Sequence, residues 1–411
     1  MKKLLVGTLI TAAVMMFLCG CTQSKAVSKA ESKAEPIKET EEVVKEVIIE
    51  EVAKEEVNVQ EKEEPIEDTR SEAQKFAAQI NVGWNLGNTF DAHGCGNSVS
   101  AETYWGNPKT TQEMIDAVAA KGFNTIRIPV TFAEHLGPAP DYTIDPAWLD
   151  RVEEVVNYGI NDNMFVILDT HHETDYWLSP EEDKEAVITE ELVAIWKQLC
   201  ERFKDYDNHL IFEGMNEPRV KGSAQEWTGG LPAQRAVVDR MNQAFVDTVR
   251  EGAGNNPERY VIICTYANTA SDITIRNLVL PDDNHLIVSV HMYTPYEFTY
   301  PQSGKDLATW DGSKLSDITT LMKTLKVYIY NKKIPVIITE FGAVNKNNDD
   351  DVVAWVKDFM AAANEYEFKV VWWDNGLYNT GNEHFAIFNR NDLSWYRPKV
   401  ADALIANSIT S

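Results

Sequence analysis

The sequence predicts an α/β fold, a single (β/α)8 barrel in which eight parallel strands form a ring and a helix follows each strand. From about Phe76 onward, eight short runs are almost continuously apolar, as in strands that are covered on both faces. Helix-like stretches such as "TTQEMIDAVAAKG" and "DDDVVAWVKDFMAAANEYE" separate them. A doubly wound sheet is the alternative, but no Gly-rich phosphate loop follows the first run. Eight units without an internal linker favour one barrel.

The chain begins with a predicted lipoprotein signal peptide, residues 1–20. Two lysines precede an apolar run that is short for a membrane span, and the segment ends in "LCGC". This ending resembles a bacterial lipoprotein processing site, which makes Cys21 the expected lipidated residue. The alternative is ordinary signal cleavage with Cys21 incidental. We expect an extracellular protein tethered to the outer face of the cell membrane.

Residues 21–72 are predicted to be a charged flexible linker. After Cys21 the segment has 16 acidic and 8 basic side chains and contains no aromatic residue and no Gly. Such composition cannot bury enough apolar surface for a core. A coiled coil is the competing interpretation, but Pro36, Pro65 and broken heptads weigh against it. The barrel is therefore predicted to span residues 73–411.

The eight apolar runs of this barrel tend to finish in polar or aromatic side chains. In chain order the runs are "INVGWNLGN", "FNTIRIPV", "MFVILDTHH", "LIFEGMNEP", "RYVIICTY", "HLIVSVHMY", "IPVIITEFG" and "FKVVWWDNG". In a parallel barrel the active site lies at the carboxyl ends of the strands. Polar residues gathered at that end of most strands indicate one functional site.

Composition restricts the partners of this site. A net charge of −26 argues against nucleic acid and other anionic polymers, because phosphate recognition requires clustered Lys and Arg. Eleven Trp residues supply flat faces suited to sugars. Cys95, Cys200 and Cys264 show neither zinc spacing nor a disulfide framework, so they are expected to be scattered buried thiols. The chain is expected to act as a monomer on a neutral substrate.

Two carboxylates, Glu217 on the fourth run and Glu340 on the seventh, are the strongest catalytic candidates. Isolated anions at buried strand ends are costly unless they are used. Glycosidic cleavage uses such a pair: one carboxyl protonates the departing oxygen, and the other stabilises or traps the sugar cation. Arg127, near the end of the second run, could keep one of them ionised.

Nine motifs in register give a family resemblance over roughly residues 76–408. They are "GWNLGNTFDA", "ETYWGNP", "IRIPV", "HHE", "MNEPR", "EWTGG", "HMYTP", "ITEFGA" and "WWDNG". In this order they resemble glycoside hydrolase family 5, the endo-β-glucanase (cellulase) family, and most closely its bacterial endoglucanases, xyloglucanases and lichenases. The resemblance implies a retaining endo-β-1,4-glucanase that needs no metal or organic cofactor.

The resemblance also implies a role for each matching residue. Glu217 is the expected proton donor (acid/base) and Glu340 the expected nucleophile. The supporting residues and expected roles are Arg127 beside the nucleophile, Asn216 toward the sugar 2-hydroxyl, His171 and His172 along the neighbouring subsite, His291 and Tyr293 orienting the carboxylates, and Trp373 stacking on the sugar at the cleavage point.

Some alternatives stay open at the level of sequence. Adjacent residues of a strand point to opposite faces, so we expect only one of His171 and His172, with His171 the better match, to contact substrate, and we expect no metal pair. Trp84, Trp105 and Trp227 fit either core or sugar-binding positions. The activity could instead be directed at xyloglucan, mixed-linkage glucan or mannan. A rival of another class is a non-catalytic sugar-binding lipoprotein, which has no need for paired glutamates.

Overall fold

The structure is a computed structural model that describes residues 68–300, 306–379 and 383–409. The predicted signal peptide (1–20), Cys21 and all but the last residues of the predicted linker (21–72) lie outside this part. Within it, no helix is long and apolar enough to cross a membrane.

Eight parallel strands close into a barrel in chain order, as the sequence predicts. Each predicted run contains one strand, except that β5 continues three residues beyond its run, to Thr269. The strands are Gly83–Asn85 (β1), Thr125–Val130 (β2), Phe165–Thr170 (β3), Leu210–Glu213 (β4), Val261–Thr269 (β5), Leu286–His291 (β6), Val336–Phe341 (β7) and Lys369–Trp372 (β8). The barrel closes where Gly83 of β1 pairs with both Thr125 of β2 and Val371 of β8.

Helices surround the barrel, and short 3-10 turns lie in several loops. The α-helices are Glu72–Ala77 (α1), Gln112–Lys121 (α2), Pro146–Asn161 (α3), Glu185–Arg202 (α4), Pro232–Arg250 (α5), Asp272–Asn277 (α6), Tyr296–Thr299 (α7), Leu315–Tyr328 (α8), Asp349–Asn364 (α9) and Pro398–Ala406 (α10). The 3-10 turns are Val99–Thr103, Ala133–His135, His172–Asp175, Asn256–Glu258 and Tyr330–Lys332.

Helix α1 packs on the barrel from the N-terminal side. Ser71 and Gln74 form a capping box, in which the Ser71 hydroxyl accepts from the Gln74 amide at 3.0 Å and the Gln74 side chain accepts from the Ser71 amide at 3.1 Å. Phe76 stacks on Tyr260 with ring centroids 3.6 Å apart. Because Phe76 also belongs to the cluster of inward-facing side chains, α1 covers one end of the barrel interior.

Strand alternation separates two apolar layers. On β3, Val166 and Leu168 belong to the layer between strands and helices, whereas Phe165 and Ile167 belong to the inner cluster. The inner cluster of strand residues is Phe165, Ile167, Ile211, Ile262, Ile287, Ile337 and Val371. The next inward position on β3 is Asp169, and on β4 it is Glu213, both fully buried. The polar site therefore lies directly on an isoleucine-rich layer.

A β-bulge in β7 places Glu340 in the barrel mouth. Val290 of β6 pairs with Ile338, but the next β6 residue, His291, pairs with Glu340, so Thr339 is an extra residue. Strict alternation from inward-facing Ile337 would turn Glu340 toward the helices. The bulge lets Thr339 and Glu340 both contact barrel-mouth residues.

Candidate active site

Arg127 is the central cation of the site. It lies within β2, three residues before the strand end, and its side chain is fully buried. The guanidinium contacts five side chains: Glu213 at 2.6 Å, Asp169 at 2.6 Å, Glu340 at 2.8 Å, Asn216 at 2.9 Å and Asn85 at 3.1 Å. Burial acts to lower its pKa, but the three carboxylates raise the pKa further above its usual range. Arg127 is therefore held charged and fixes the Glu340 carboxylate.

Glu340 has a second fixed donor. The Tyr293 hydroxyl donates to Glu340 Oε2 at 2.8 Å, while Arg127 binds Oε1. The Glu340 side chain is only 7% exposed. Burial raises its pKa above the ordinary glutamate value, against the opposing charges of His291 and Arg127. Both oxygens are thus oriented before a substrate arrives.

Glu217 faces Glu340 from the loop after β4. Its Oε1 lies 2.8 Å from Nδ1 of His291, which is itself 3.4 Å from Glu340 Oε2. One ligand atom from each of the three residues lies within 4.8 Å of the other two. Arg219 Nη1 lies 3.3 Å from the other Glu217 oxygen. Two carboxylates and one imidazole therefore form a compact, coupled group at the barrel mouth.

His291 and Glu217 shift each other's pKa in opposite directions. Burial acts to lower the pKa of His291, but the charges of Glu340 and Glu217 raise it overall. Burial acts to raise the pKa of Glu217, but the hydrogen bond and charge of His291, together with Arg219, bring it below its usual range. The three groups titrate as a unit. These shifts favour a proton on His291 over one on Glu217.

The backbone at Glu217 is held in an unusual conformation. Its φ is 46°, in the left-handed region that a non-glycine residue rarely adopts, and Pro218 follows. The Glu217 amide donates to Oδ1 of Asn268 at 2.8 Å, and Asn268 Nδ2 donates to the Ser289 hydroxyl at 2.9 Å. Such strain costs about 1–3 kcal/mol and persists only where the surroundings impose it. Asn268, buried at the end of β5, supplies part of that restraint.

The two histidines after β3 lie side by side, and the expectation of opposite faces is wrong. The strand ends at Thr170 and His172 starts a 3-10 turn, so alternation does not extend to this pair. Their rings are 4.5 Å apart between centroids. His171 is buried and its Nδ1 lies 3.2 Å from Asp169, whereas the His172 side chain is 28% exposed. Both line the same side of the barrel mouth.

Trp373 follows β8 directly and is 7% exposed. Its ring is parallel to that of His171 at a centroid distance of 5.6 Å. Gly87 makes room for it: a Cβ at this position would lie 2.8 Å from the Trp373 ring.

Asn216 is 3% exposed, and its side-chain oxygen accepts a hydrogen bond from Arg127. The NH2 group of the Asn216 side chain is then the donor for a ligand.

The three tryptophans left open by the sequence have different environments. Trp84 is fully buried in the layer between strands and helices. Trp105 is half-buried beside His172, with ring centroids 5.6 Å apart. Trp227 is 54% exposed, and the guanidinium of Arg219 lies 4.4 Å from its ring centroid. Trp227 and Trp105 are therefore available at the surface, and Trp84 is core.

Several site residues were missed in the sequence. Asp169 lies two positions before His171 in the predicted strand, so strand alternation alone would have placed the two side chains on the same face. Asn268 is the last residue but one of β5, a strand for which the sequence predicted no site residue. Arg219 stands in the quoted motif "MNEPR" but was given no role. Glu213, inward-facing at the end of β4, accepts hydrogen bonds from Arg127 and the Thr339 hydroxyl.

A parallel barrel with two facing carboxylates, a histidine between them and an arginine-bound partner defines the class of two-carboxylate glycoside hydrolases. The sequence matches the family model described as Cellulase (glycosyl hydrolase family 5) over residues 78–379. The chain belongs to this family.

Individual relatives agree with this assignment. Endoglucanase A of Ruminococcus albus is 50% identical over 339 residues, which cover 82% of this chain and 93% of the relative. A crystal structure of a xyloglucan-specific endo-β-1,4-glucanase from a metagenomic library, in complex with cellotriose, is 53% identical with a TM-score of 0.80, covering 81% of this chain and 98% of that one. A broad-specificity endoglucanase from Ruminococcus champanellensis with bound cellotriose is 42% identical, with a TM-score of 0.78 and coverages of 81% and 98%.

Proposed function

We propose that this protein is a retaining endo-β-1,4-glucanase that cleaves internal bonds of cellulose-type β-glucans by double displacement. The observation that carries the proposal is the spacing of Glu217 and Glu340, whose nearest ligand oxygens lie within 4.8 Å. Retaining enzymes hold their carboxyl groups about 5–5.5 Å apart, and inverting enzymes about 6.5–9.5 Å apart, to leave room for a water. The short spacing supports retention.

In the first step, Glu340 attacks the anomeric carbon and forms a glycosyl ester while the bond to the departing oxygen breaks. Glu217 gives its proton to that oxygen. In the second step, Glu217 removes a proton from water, the water attacks the same carbon, and Glu340 leaves as a carboxylate. Arg127 and Tyr293 hold the Glu340 oxygens at the geometry that attack requires.

The acid role of Glu217 requires a proton, and its hydrogen-bond partner His291, whose pKa is raised, can supply it. The two groups are 2.8 Å apart, so the transfer is local. A bound sugar chain displaces water, and a lower dielectric disfavours the separated charges of histidinium and carboxylate. Substrate binding therefore favours the neutral pair, in which Glu217 carries the proton.

The proposal is tested with soluble cellulose derivatives, mixed-linkage glucan, xyloglucan and mannan. We expect new reducing ends from the β-glucans, and proton NMR of early products showing the β-anomer first. An α-anomer formed first would contradict retention. Absence of reducing ends from every polysaccharide would support the rival, a non-catalytic sugar-binding protein.

Xyloglucan is the second candidate substrate. The solved relative at 53% identity is described as xyloglucan-specific, whereas the one from Ruminococcus champanellensis is described as broad in specificity. The ratio of kcat/KM on xyloglucan to that on mixed-linkage glucan separates these two possibilities.

Tyr293→Phe is expected to lower kcat/KM about 10- to 100-fold, since a hydrogen bond to a charged group contributes about 1.5–3 kcal/mol. The Tyr293 hydroxyl lowers the pKa of Glu340, against the larger effect of burial. Without this hydroxyl the pKa of Glu340 rises. Because Glu340 attacks only when it is ionised, the variant should lose activity at a higher pH than wild type as the pH is lowered. The acid limb of the kcat/KM profile should move upward. An unmoved limb would contradict this assignment.

Asn268→Ala is expected to lower kcat on polysaccharide about 5- to 100-fold with little change in KM, as for a buried hydrogen bond worth about 1–3 kcal/mol. The reason is that Glu217 loses the partner of its amide. On an activated aryl cellobioside, the rate of the glycosylation step should fall less than kcat falls on polysaccharide. Asn242→Ala is the matched control, because buried Asn242 also binds β5, through the Cys264 carbonyl at 2.8 Å. Equal losses in both variants would indicate a general structural effect.

We also infer a membrane tether through lipidated Cys21 and a flexible segment before the barrel. The composition of residues 21–72 supports a spacer role, since it lacks aromatic residues to bind sugar. A shortened chain beginning at Asp68 retains the contact between the Lys333 ammonium and the Thr69 carbonyl at 3.0 Å and the Ser71 cap. It should keep its specific activity on soluble β-glucan.

Cys21→Ala is expected to move the full-length protein from the membrane fraction to the soluble fraction, without loss of turnover. Cell fractionation with immunoblotting measures this change, and Cys95→Ser serves as the control. Membrane retention of the Cys21→Ala protein would contradict lipid anchoring. Loss of most turnover in the chain that begins at Asp68 would contradict the spacer role.

A further inference from the structure

A second group of potential ligands lies beside the catalytic pair. It consists of His93, in the loop after β1, and His172 and Asp175, which begin and end the 3-10 turn after β3. One ligand atom of each lies within 4.8 Å of the other two. Their side chains are between 21% and 28% exposed, so the group is accessible to solvent. The proposed reaction uses neither His93 nor Asp175.

The measured distance between two of these ligand atoms is compatible with a small metal ion. His93 Nε2 lies 3.3 Å from Asp175 Oδ2, and the two imidazole rings are 5.2 Å apart between centroids. Bonds of about 2.0–2.2 Å in a tetrahedral arrangement put neighbouring ligand atoms about 3.3–3.5 Å apart. Two imidazoles and one carboxylate, with a position left open, form a donor set suited to zinc and related ions.

Further contacts hold these side chains in place. His93 Nδ1 lies 3.1 Å from the Tyr176 hydroxyl, and His172 Nε2 lies 3.6 Å from the buried carboxylate of Asp91. Lys221 contacts Asp175 through Oδ1, the oxygen that does not face His93. Partners of this kind fix the orientation of metal-binding side chains. Lys221 also adds a positive charge that opposes a bound cation.

We propose that His93, His172 and Asp175 form a binding site for a divalent transition-metal ion of the zinc type, and that its occupation inhibits hydrolysis. The inhibitory part rests on the proposed function, because His172 lies beside His171 at the barrel mouth, where that function places the polysaccharide. An ion on His172 removes this side chain from contact with sugar and occupies space at the cleft wall. The ion is an inhibitor and takes no part in the reaction.

Binding is measured first, with the full-length protein and Zn²⁺ in competition with a chromophoric chelator. His93→Ala is expected to weaken Zn²⁺ binding at least about tenfold, since even loss of a partner that only supports a ligand costs 10- to 100-fold. Lys221→Met should strengthen it, because the opposing charge is removed. His209→Ala is the control: this histidine also pairs with an aspartate, Asp207, at 3.0 Å, but at the start of β4.

Thiols are tested separately. Cys95, two residues after His93, is a free thiol, so Cys95→Ser should leave Zn²⁺ affinity unchanged. Cys19 and Cys21 are unchanged in every variant, so any Zn²⁺ binding by these thiols cancels when the variants are compared. Loss of binding in Cys95→Ser, or equal affinity of wild type and His93→Ala, would overturn the proposed site.

Inhibition is measured as the ratio of hydrolysis rates with and without Zn²⁺ within each variant. Wild type should be inhibited over the range in which the chelator experiment shows binding, and His93→Ala should need at least about tenfold more Zn²⁺. Binding without inhibition would overturn the inhibitory role. If the metal-free enzyme hydrolyses β-glucan and Zn²⁺ does not bind, the metal proposal fails while the proposed function stands.

Discussion

Glu340→Ala is expected to lower kcat/KM on every β-glucoside by at least about 10⁴-fold, comparable to removing a nucleophile from other covalent enzymes. The loss corresponds to about 5.5 kcal/mol of transition-state stabilisation. The physical reason is that no other group near the anomeric carbon can form the covalent intermediate. A good leaving group does not help, because the step that is missing is the attack itself. Initial rates on polysaccharide and on a dinitrophenyl cellobioside measure the effect.

The fold should survive this substitution. Arg127 keeps Asp169 and Glu213 as charge partners at 2.6 Å each, so no buried cation is left unpaired. Circular dichroism and thermal unfolding provide the control. A folded Glu340→Ala protein that retains more than a few per cent of wild-type activity on the aryl substrate would contradict the nucleophile assignment.

Glu217→Ala is expected to lower kcat on polysaccharide about 10²- to 10⁴-fold, the usual contribution of general acid–base catalysis. With a dinitrophenyl leaving group, the first step needs no proton and should stay close to the wild-type rate. Hydrolysis of the glycosyl ester then becomes slow, because no base activates water. A burst of dinitrophenol followed by slow turnover, seen by stopped-flow absorbance, is the expected signature.

Azide tests the same variant independently. This small anion needs no base, so it should accelerate the second step of Glu217→Ala and give a β-glycosyl azide with retained configuration. Glu226→Ala is the matched control. Glu226 also contacts Arg219, at 3.1 Å, but among the described residues it has no hydrogen bond to His291, which binds Glu217. Reversed behaviour of Glu217→Ala and Glu340→Ala would exchange their roles.

Much of the fold was readable from the sequence because its signals are local. Each of the eight apolar runs contains all or most of a strand, since a strand buried on both faces needs apolar side chains at successive positions. The carboxyl ends of parallel strands meet at one end of a barrel. Side chains at these ends, such as His291 and Trp373, were therefore expected to lie near one another. Residue type and position were enough to choose Glu217 and Glu340.

The contacts of those glutamates were decided only by the tertiary structure. Glu340 reaches the mouth because β7 contains an extra residue relative to β6, and register between strands is not encoded within either strand alone. Glu217 takes a left-handed backbone conformation that Asn268, 51 residues further along the chain, helps to hold. His171 and His172 share one wall because β3 ends before them.

The composition and local patterns of this sequence thus predicted a parallel barrel and singled out Glu217 and Glu340, which the structure brings together. The closed sheet decided which partners those carboxylates meet, because Arg127, Tyr293, His291 and Asn268 come from different strands or the loops after them. Their hydrogen bonds join residues up to 213 positions apart in the chain. Such contacts depend on the stagger of neighbouring strands and on where each strand ends, which are properties of the assembled barrel and not of any single segment.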